Sequence, residues 1–454
     1  LNIIKWIREQ CGLGSGRAVN TPLSLKKEVI SRAEHGISRA QISPNALKVL
    51  HRLHKAGFEA YLVGGSVRDL LLQRAPKDFD VATSAHPEAV RRLFSNCRLI
   101  GRRFRLAHVF FGPEIIEVAT FRAHHSETHT PQQAQVRNGQ IIRDNVYGTL
   151  EEDAERRDFT INALYYNHAD GSVIDFNRGM EDIKNNIIRI LGDPLQRYRE
   201  DPVRMLRAIR FAVKTGFQIE PVTEKPLFTE GHLLQNVPQA RLFEETCKLL
   251  LSGQSVAAFA KLETYNIFRY LFPETDKTIH LTTTNTDEQT VLYNRRLIER
   301  TLSNTDDRIS KDKPITPAFL LAALLWPVLQ NNLTPLKDSM PILAALEIAM
   351  NRTVDSQLSV FSIQKRFTLM MREIWQMQYQ LQATYRAPYL LSRLKFRAGF
   401  DFLSLRAQSG ETELTPLVDW WTEYQNADQT KREAMLAELP KPKRRRKRRR
   451  KKSV

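Results

Sequence analysis

Two aspartates one residue apart, inside an alternating apolar run, constrain this chain more than any other feature. Asp78 to Thr83 reads DFDVAT, a strand pattern with Phe79, Val81 and Thr83 on one face and Asp78 and Asp80 on the other. Two carboxylates held that close repel unless a cation lies between them. A divalent ion such as Mg²⁺ uses this arrangement and completes its shell with phosphate oxygens and water. Paired ions clamp the attacking and leaving oxygens of phosphoryl-type transfer. The competing reading is two solvated aspartates on an exposed strand edge, so the surroundings must decide.

Upstream, Phe58 to Val63 is a short apolar strand, Gly64-Gly65-Ser66 a tight turn, and Val67 to Leu72 the helix it opens. Glycines there allow close backbone approach, and the helix start offers free N–H groups to a phosphate. Arg68 adds charge and Asp69 can brace the turn. Ser43-Pro44 starts a preceding helix that Gly57 closes. Another helix begins near Pro87. Strand-like runs Leu106 to Phe111 and Ile115 to Thr120 flank Gly112-Pro113, giving a mixed α/β block. His124 to Asn138 is polar and aperiodic, a loop, and its histidines 124, 125 and 129 lack metal-ligand spacing. Phe159 to Tyr166 is a strand or buried segment. A helix runs from Asp201-Pro202 to about Lys214. Helical spacing then continues to about residue 437, with loops near 273–290, 303–317 and 331–335. Gly12 to Gly16 faintly suggests a phosphate turn but follows no strand, so it reads as a linker.

The run GGSVRDLLLQRAPKDFDVAT resembles the nucleotidyltransferase signature of the DNA polymerase beta superfamily. The branch it is similar to is the class II family holding bacterial poly(A) polymerases and bacterial-type CCA-adding enzymes. Two further signatures follow in the family's order: Arg156-Arg157-Asp158-Phe159-Thr160-Ile161-Asn162-Ala163-Leu164, and Glu200-Asp201-Pro202-Val203-Arg204 through Arg207, Arg210 and Phe211. The resemblance spans roughly residues 43–270. It implies an α/β nucleotidyltransferase head with a mixed sheet, a mostly α-helical body and a disordered basic tail. The expected divisions are a flexible segment 1–42, a head 43–180, a nucleobase-recognition neck 181–270, an RNA-binding body 271–437 and a tail 438–454.

Carried over by position, the resemblance makes Asp78 and Asp80 metal ligands for Mg²⁺, with Mn²⁺ as the alternative ion. Glu117 is the candidate third ligand, or else a structural partner of Arg122. Asp158 becomes a catalytic-site aspartate, or else a buried brace for the paired arginines. Gly64, Gly65, Ser66, Arg68, Asp69, Arg156, Arg157 and Asn162 would hold the sugar and triphosphate of ATP. Glu200, Asp201 and Arg204 match the base-reading triplet. Asp201 and Arg204, one helical turn apart, can accept from an exocyclic amine and donate to the adjacent ring nitrogen. Adenine and cytosine both satisfy that pair; guanine and uracil leave unpaired groups. Asp201 could otherwise be a plain N-cap. Arg207 and Arg210 extend the basic face toward phosphate, or are surface charges.

The triplet does not separate ATP-only from CTP-plus-ATP use. Gly101 to Val109 and Phe121 to His125 resemble the proteobacterial poly(A) polymerase pattern, and so does the terminus. Lys441 to Lys452 reads KPKRRRKRRRKK, eleven basic residues of twelve, so of the net charge of +18 only +7 belongs to the rest. Such a block repels itself and suits a phosphate polymer, since neutralising phosphates releases counterions. Lys443, Arg444, Arg445, Arg446, Lys447, Arg448, Arg449, Arg450, Lys451 and Lys452 are the expected RNA contacts; a solubilising end and an anionic membrane surface are the alternatives. The expected activity is adenylyl transfer to RNA 3′ ends, with RNA-decay proteins as further partners. A CCA-adding enzyme is the alternative, and a non-catalytic RNA-binding protein on a decayed head the second.

Cys11, Cys97 and Cys247 are far apart and form no CxxC pair, which argues against a disulfide framework and a zinc site and fits a reducing compartment. The longest apolar run, Ala318 to Trp326, stops at Pro327, short of the ~20 residues of a membrane span. Leu1 to Gly16 lacks the apolar core of a leader. These features predict a cytoplasmic chain without an integral membrane segment.

Overall fold

The computed structural model describes residues 27–101, 105–123, 134–137, 140–144, 146–280 and 287–439, the side chains of 134–144 excepted. The head is an eight-stranded sheet. Its strands are β1 (Glu28–Ile30), β2 (Ala60–Val63), β3 (Asp80–Thr83), β4 (Cys97–Ile100), β5 (Leu106–Phe111), β6 (Glu114–Thr120), then β9 (Leu164–Asn167) and β10 (Val173–Asp175). The short β7 (Ala134–Arg137) and β8 (Gln140–Asp144) pair separately. The order is β1-β10-β9-β2-β3-β6-β5-β4, and only the β3–β6 pair is parallel, so the sheet is mixed as expected.

Alternation along the strands sorts the two faces. Leu62, Val81, Ile116 and Val118 bury one face against α1 (Pro44–Lys55) and α3 (Pro87–Leu93). Ser43 starts α1 by accepting from the N–H groups of Asn45 and Ala46, with Pro44 in the first turn. Tyr61, Val63, Ala82, Phe121 and Tyr165 line the other face under α4 (Leu150–Arg156). Asp80 and Glu117 lie on that second face, because they alternate with the buried Val81, Ile116 and Val118.

Next come α5 (Pro194–Glu200), α6 (Val203–Thr215) and α7 (Gln239–Leu250), followed by helices to Ala437. One apolar core runs from Phe159 through α6 into the body as far as Leu405, joining neck to body without a break. A smaller core around Phe396, Phe400, Trp421 and Tyr424 closes the end.

Several boundaries move. Residues 28–42, expected to be flexible, are built into the head: Val29 pairs with Ile174 and adds an edge strand. Part of the loop expected at 124–138 is β7, paired with β8. The expected loop at 303–317 begins later, because one helix runs from Glu288 to Ser310. Its buried Leu297, Ile298, Thr301, Leu302 and Thr305 keep helical spacing, and the polar residues after them are its exposed last turn. Within 273–290, Pro273–Ile279 is likewise helical. Among the described residues no single helix is long and apolar enough to cross a membrane. Pro317–Leu324 and the helix from Trp326 bend 47° apart and are largely buried.

Candidate active site

β2 delivers the glycine turn to the carboxylates. Val63 pairs with Asp80, and the chain then turns sharply at Gly64, whose φ is +76°. A Cβ there would lie 3.6 Å from Arg157 Nη1 and 3.9 Å from Asp80 Oδ2. The turn, a guanidinium and a carboxylate thus converge over one residue that carries no side chain. The helix it opens, α2 (Gly65–Leu71), starts one residue into the motif, and Ser66 Oγ donates to the Val63 carbonyl. Asp78 precedes the regular strand, which begins at Asp80. It is exposed and borders an open cleft of about 560 Å³ with Pro76, Lys77, Pro113 and Ile115.

The parallel β3–β6 register sets Glu117 beside Asp80. Glu117 is exposed, and its carboxylate lies 3.4 Å from His108 Nε2 of β5. Burial, then the charge of Glu117, pushes the Asp80 carboxyl up to about 6; Arg157 opposes this and Asp78 adds to it. Among the described residues no three His, Cys, Asp or Glu side chains converge to enclose an ion. The donor set is therefore a pair with surplus negative charge around it. That fits Mg²⁺, which commonly takes one or two carboxylates and completes its shell from phosphates and water. It gives no closed three-carboxylate cage that includes Glu117.

Arg157 is held from behind. Its Nε donates to Tyr165 Oη (2.8 Å) and Asp153 Oδ2 (3.2 Å), its Nη2 donates to Asp153 Oδ2 (2.9 Å), and Tyr165 Oη donates to the same oxygen (2.7 Å). Burial works against the Arg157 charge, but Tyr165 and Asp153 more than offset it and hold the guanidinium above its ordinary range. Nη1 is left as the end nearest Gly64. Arg156 donates instead to the Ala123 carbonyl.

Other expected ligands form a brace. Arg68 is 2% exposed; its Nε and Nη2 bond Asp69 Oδ1, and its Nη1 bonds Asn162 Oδ1 at 2.7 Å. Lys214 of α6 donates to Asp69 Oδ2, Asn162 donates to Asp158 Oδ1, and Arg207 Nε donates to Asp158 Oδ2 at 2.6 Å. The guanidiniums of Arg68, Arg207 and Arg210 lie 5.0, 5.1 and 4.9 Å from the Phe211 ring centroid, and Arg210 faces Glu245 at 3.7 Å. Burial alone would raise the Asp158 carboxyl, yet Arg207, the Asn162 bond and Arg204 hold it down at about 2. This chain ties α2, the 158–162 segment and α6 together. Asp158 takes the bracing geometry, with Arg207 rather than the paired arginines as its ion partner.

The triplet sits where α5 meets α6. α6 begins at Val203 rather than at Asp201-Pro202, with Pro202 at its N-cap position. The Asp201 carboxylate is gripped by Arg241 of α7, Nη1 to Oδ1 at 2.6 Å and Nη2 to Oδ2 at 2.7 Å. Arg204 Nη1 donates to the Arg197 carbonyl (2.8 Å) and to Glu200 Oε2 (3.3 Å). Arg197 in turn bonds Glu200 and the carbonyls of Arg156 and Arg157. Burial, then the charge of Arg204, pulls Arg197 down to about 10, and its Nε is buried without a partner. Sequence patterns missed Arg241, Arg197, Asp153, Tyr165 and His108. None of them carries a local signal beyond a polar residue on a helix or strand. The expected RNA contacts Lys443 to Lys452 lie outside the described residues.

A mixed sheet with a glycine turn beside two aspartates at the start of a central strand, followed by a helical neck, defines a nucleotidyltransferase. The head matches the family described as "Poly A polymerase head domain" over residues 60–189. Residues 216–279 match "Probable RNA and SrmB- binding site of polymerase A", and residues 338–453 match "Polymerase A arginine-rich C-terminus". The chain is 50% identical to the Poly(A) polymerase I of Escherichia coli O6:H1, covering 92% of this chain and 90% of that protein. Similarity to the CCA-adding enzyme of Lactobacillus helveticus is 42% but spans only 47% of this chain and 51% of that one. In fold it is similar to the Bacillus stearothermophilus CCA-adding enzyme solved with CTP, with a TM-score of 0.54, 24% identity, and 83% and 81% of the two chains covered. The chain belongs to the bacterial poly(A) polymerase I family.

Proposed function

We propose that this chain is a template-independent RNA 3′-end adenylyltransferase. The RNA 3′-hydroxyl attacks the α-phosphorus of ATP, a P–O bond forms, and pyrophosphate leaves. Repetition builds a poly(A) tail. The observation that carries this reading is the meeting of Gly64, Arg157 Nη1 and Asp80 Oδ2. Backbone there can approach a triphosphate without a side chain between, and a guanidinium fixed by Asp153 and Tyr165 can meet its oxygens.

Asp78 and Asp80, with Glu117 beside them, would hold Mg²⁺ or Mn²⁺. Such an ion, when bound, lowers the proton affinity of the attacking hydroxyl and stabilises charge on the transferred group. Gly65 and Ser66 at the start of α2 face the phosphates. Arg68, Asp69, Asn162, Asp158, Arg207 and Arg210 fix the neck against the head, so that the base reader keeps its place over the phosphate site. Glu200, Asp201 and Arg204 read the Watson–Crick edge of adenine. Lys443 to Lys452 hold RNA of any sequence by counterion release. We place this activity in the cytoplasm, where a poly(A) tail marks RNA for decay and RNA-decay proteins are further partners.

The test is single-nucleotide extension of an RNA primer with each nucleoside triphosphate in turn. ATP alone should extend it repeatedly. Robust CTP addition to an RNA lacking its terminal CCA would make the chain a CCA-adding enzyme instead. Replacing both Asp78 and Asp80 by Ala should abolish addition and leave RNA affinity intact; retained addition refutes the carboxylate assignment.

A further inference from the structure

The body carries a surface segment whose cations are mostly without carboxylate partners among the described residues. From Glu373 to Asp401 no Asp or Glu occurs, while Arg386, Arg393, Lys395 and Arg397 fall within it. Among the described residues only Arg397 of these four has a carboxylate partner, Asp401 at 2.9 Å. Arg393 bonds the neutral Gln380, and among the described residues neither Arg386 nor Lys395 makes an ion pair. With 68 basic against 50 acidic residues the chain cannot neutralise every cation internally, and unpaired cations on an exposed segment are free to meet an external anion.

Two aromatic rings stand in the same segment. Tyr385 is 56% exposed and Tyr389 55%, although tyrosine ordinarily covers its ring. They are four residues apart, on the short 3₁₀ turn Thr384–Arg386 and the helix Ala387–Leu391 that continues it. The Arg386 guanidinium lies over the Tyr389 ring, 5.4 Å from its centroid. Ala387 and Leu390 anchor the turn in the core beneath, so both rings project from a fixed base.

Exposed rings that alternate with uncompensated cations match one polyanion better than others. Single-stranded nucleic acid offers a flat base for each ring and a phosphate for each cation. A duplex hides its base faces, and a plain phosphate surface gives the rings nothing to do. We infer that Tyr385 and Tyr389, with Arg386, Arg393 and Lys395, form a stacking platform for single-stranded RNA on the helical body. This deepens the proposed function and rests on RNA being the substrate. The platform lets the enzyme keep hold of the tail it is making, whatever bases precede it.

The test measures binding of the full chain to fluorescent oligoadenylate without ATP, so that it does not depend on catalysis. Tyr385→Ala with Tyr389→Ala should weaken binding about tenfold or more and leave the salt slope unchanged. Tyr385→Phe with Tyr389→Phe should retain wild-type affinity, since the ring and not the hydroxyl is used. Arg386→Ala should lower the slope of log affinity against log salt by about 0.7. All five positions are surface or half-buried, and thermal unfolding checks each variant's fold. Unchanged affinity in the double alanine variant overturns the platform, even if wild-type enzyme adds AMP normally. Unchanged affinity together with an altered sedimentation coefficient assigns the surface to self-association and overturns it too. A wild-type chain that binds RNA through these tyrosines but adds no AMP leaves the platform standing and refutes the proposed function.

Discussion

Arg241 grips Asp201 with both nitrogens of its guanidinium fork, at 2.6 and 2.7 Å, from a helix forty residues downstream. The carboxylate proposed to read the base is thereby aligned by a later helix of the neck, not by the head. Arg204, its expected partner, is fixed separately through Glu200 and the Arg197 carbonyl. Removing Arg241 frees Asp201 to swing. Arg241→Ala should narrow the preference for ATP over CTP by tenfold or more and destabilise the fold by roughly 3 kcal/mol, because a partly buried carboxylate loses a bidentate partner. Competition between labelled ATP and CTP in single-nucleotide extension checks the first, and urea unfolding the second. An unchanged ratio would mean that the grip does not set base choice.

Gly64→Ala tests the turn. A Cβ meets Arg157 Nη1 and Asp80 Oδ2 at ordinary contact distances, so the fold has room for it. The backbone there, φ +76° and ψ −136°, is disfavoured for any residue with a Cβ and costs about 1–3 kcal/mol. The methyl group would occupy the space over which those two groups converge. Activity should fall at least a hundredfold while Tm drops by only a few degrees. A fully active variant would move the phosphate site elsewhere.

The Asp158 carboxyl is held near 2 in the folded chain, below its ordinary value. A depressed carboxylate pKa stabilises the fold above the unfolded pKa, and that contribution disappears as pH falls from about 4 toward 2. It amounts to on the order of 2 kcal/mol at neutral pH. Asp158→Asn should therefore be clearly less stable than wild type at pH 7, and the gap should shrink at pH 3. Equal gaps at both pH values, measured by urea unfolding, would contradict the ion pair with Arg207.

Deleting residues 441–454 removes eleven basic charges. RNA affinity should fall severalfold at low salt, and the salt slope should flatten by several units if most of those charges meet phosphates. Addition of a single AMP to saturating primer should persist, because every group around Gly64 remains. An unchanged slope would remove the tail from the RNA contacts.

The amino-acid sequence by itself determined the elements that carry local chemistry. Alternation from Asp80 to Thr83 set the strand and its faces, though the strand starts two residues later than the pattern predicts; Gly64 set the turn, and Ser43-Pro44 set a helix start. Each rests on near-neighbour sterics or hydrogen bonding, so a few residues suffice. Resemblance to the family's signatures singled out Arg157 and Asp158, and separately Glu200, Asp201 and Arg204. Tertiary structure decided what each of them touches. Arg68 and Asp158 became braces because α2, the 158–162 segment and α6 pack around Phe211, and buried charges there must pair with one another. Glu117 came beside Asp80 only through the parallel β3–β6 register. Arg241 met Asp201 only because a continuous core sets α7 against α6. Such partners lie tens of residues apart, and nothing in the spacing of a chain says which distant helix face will be brought to them.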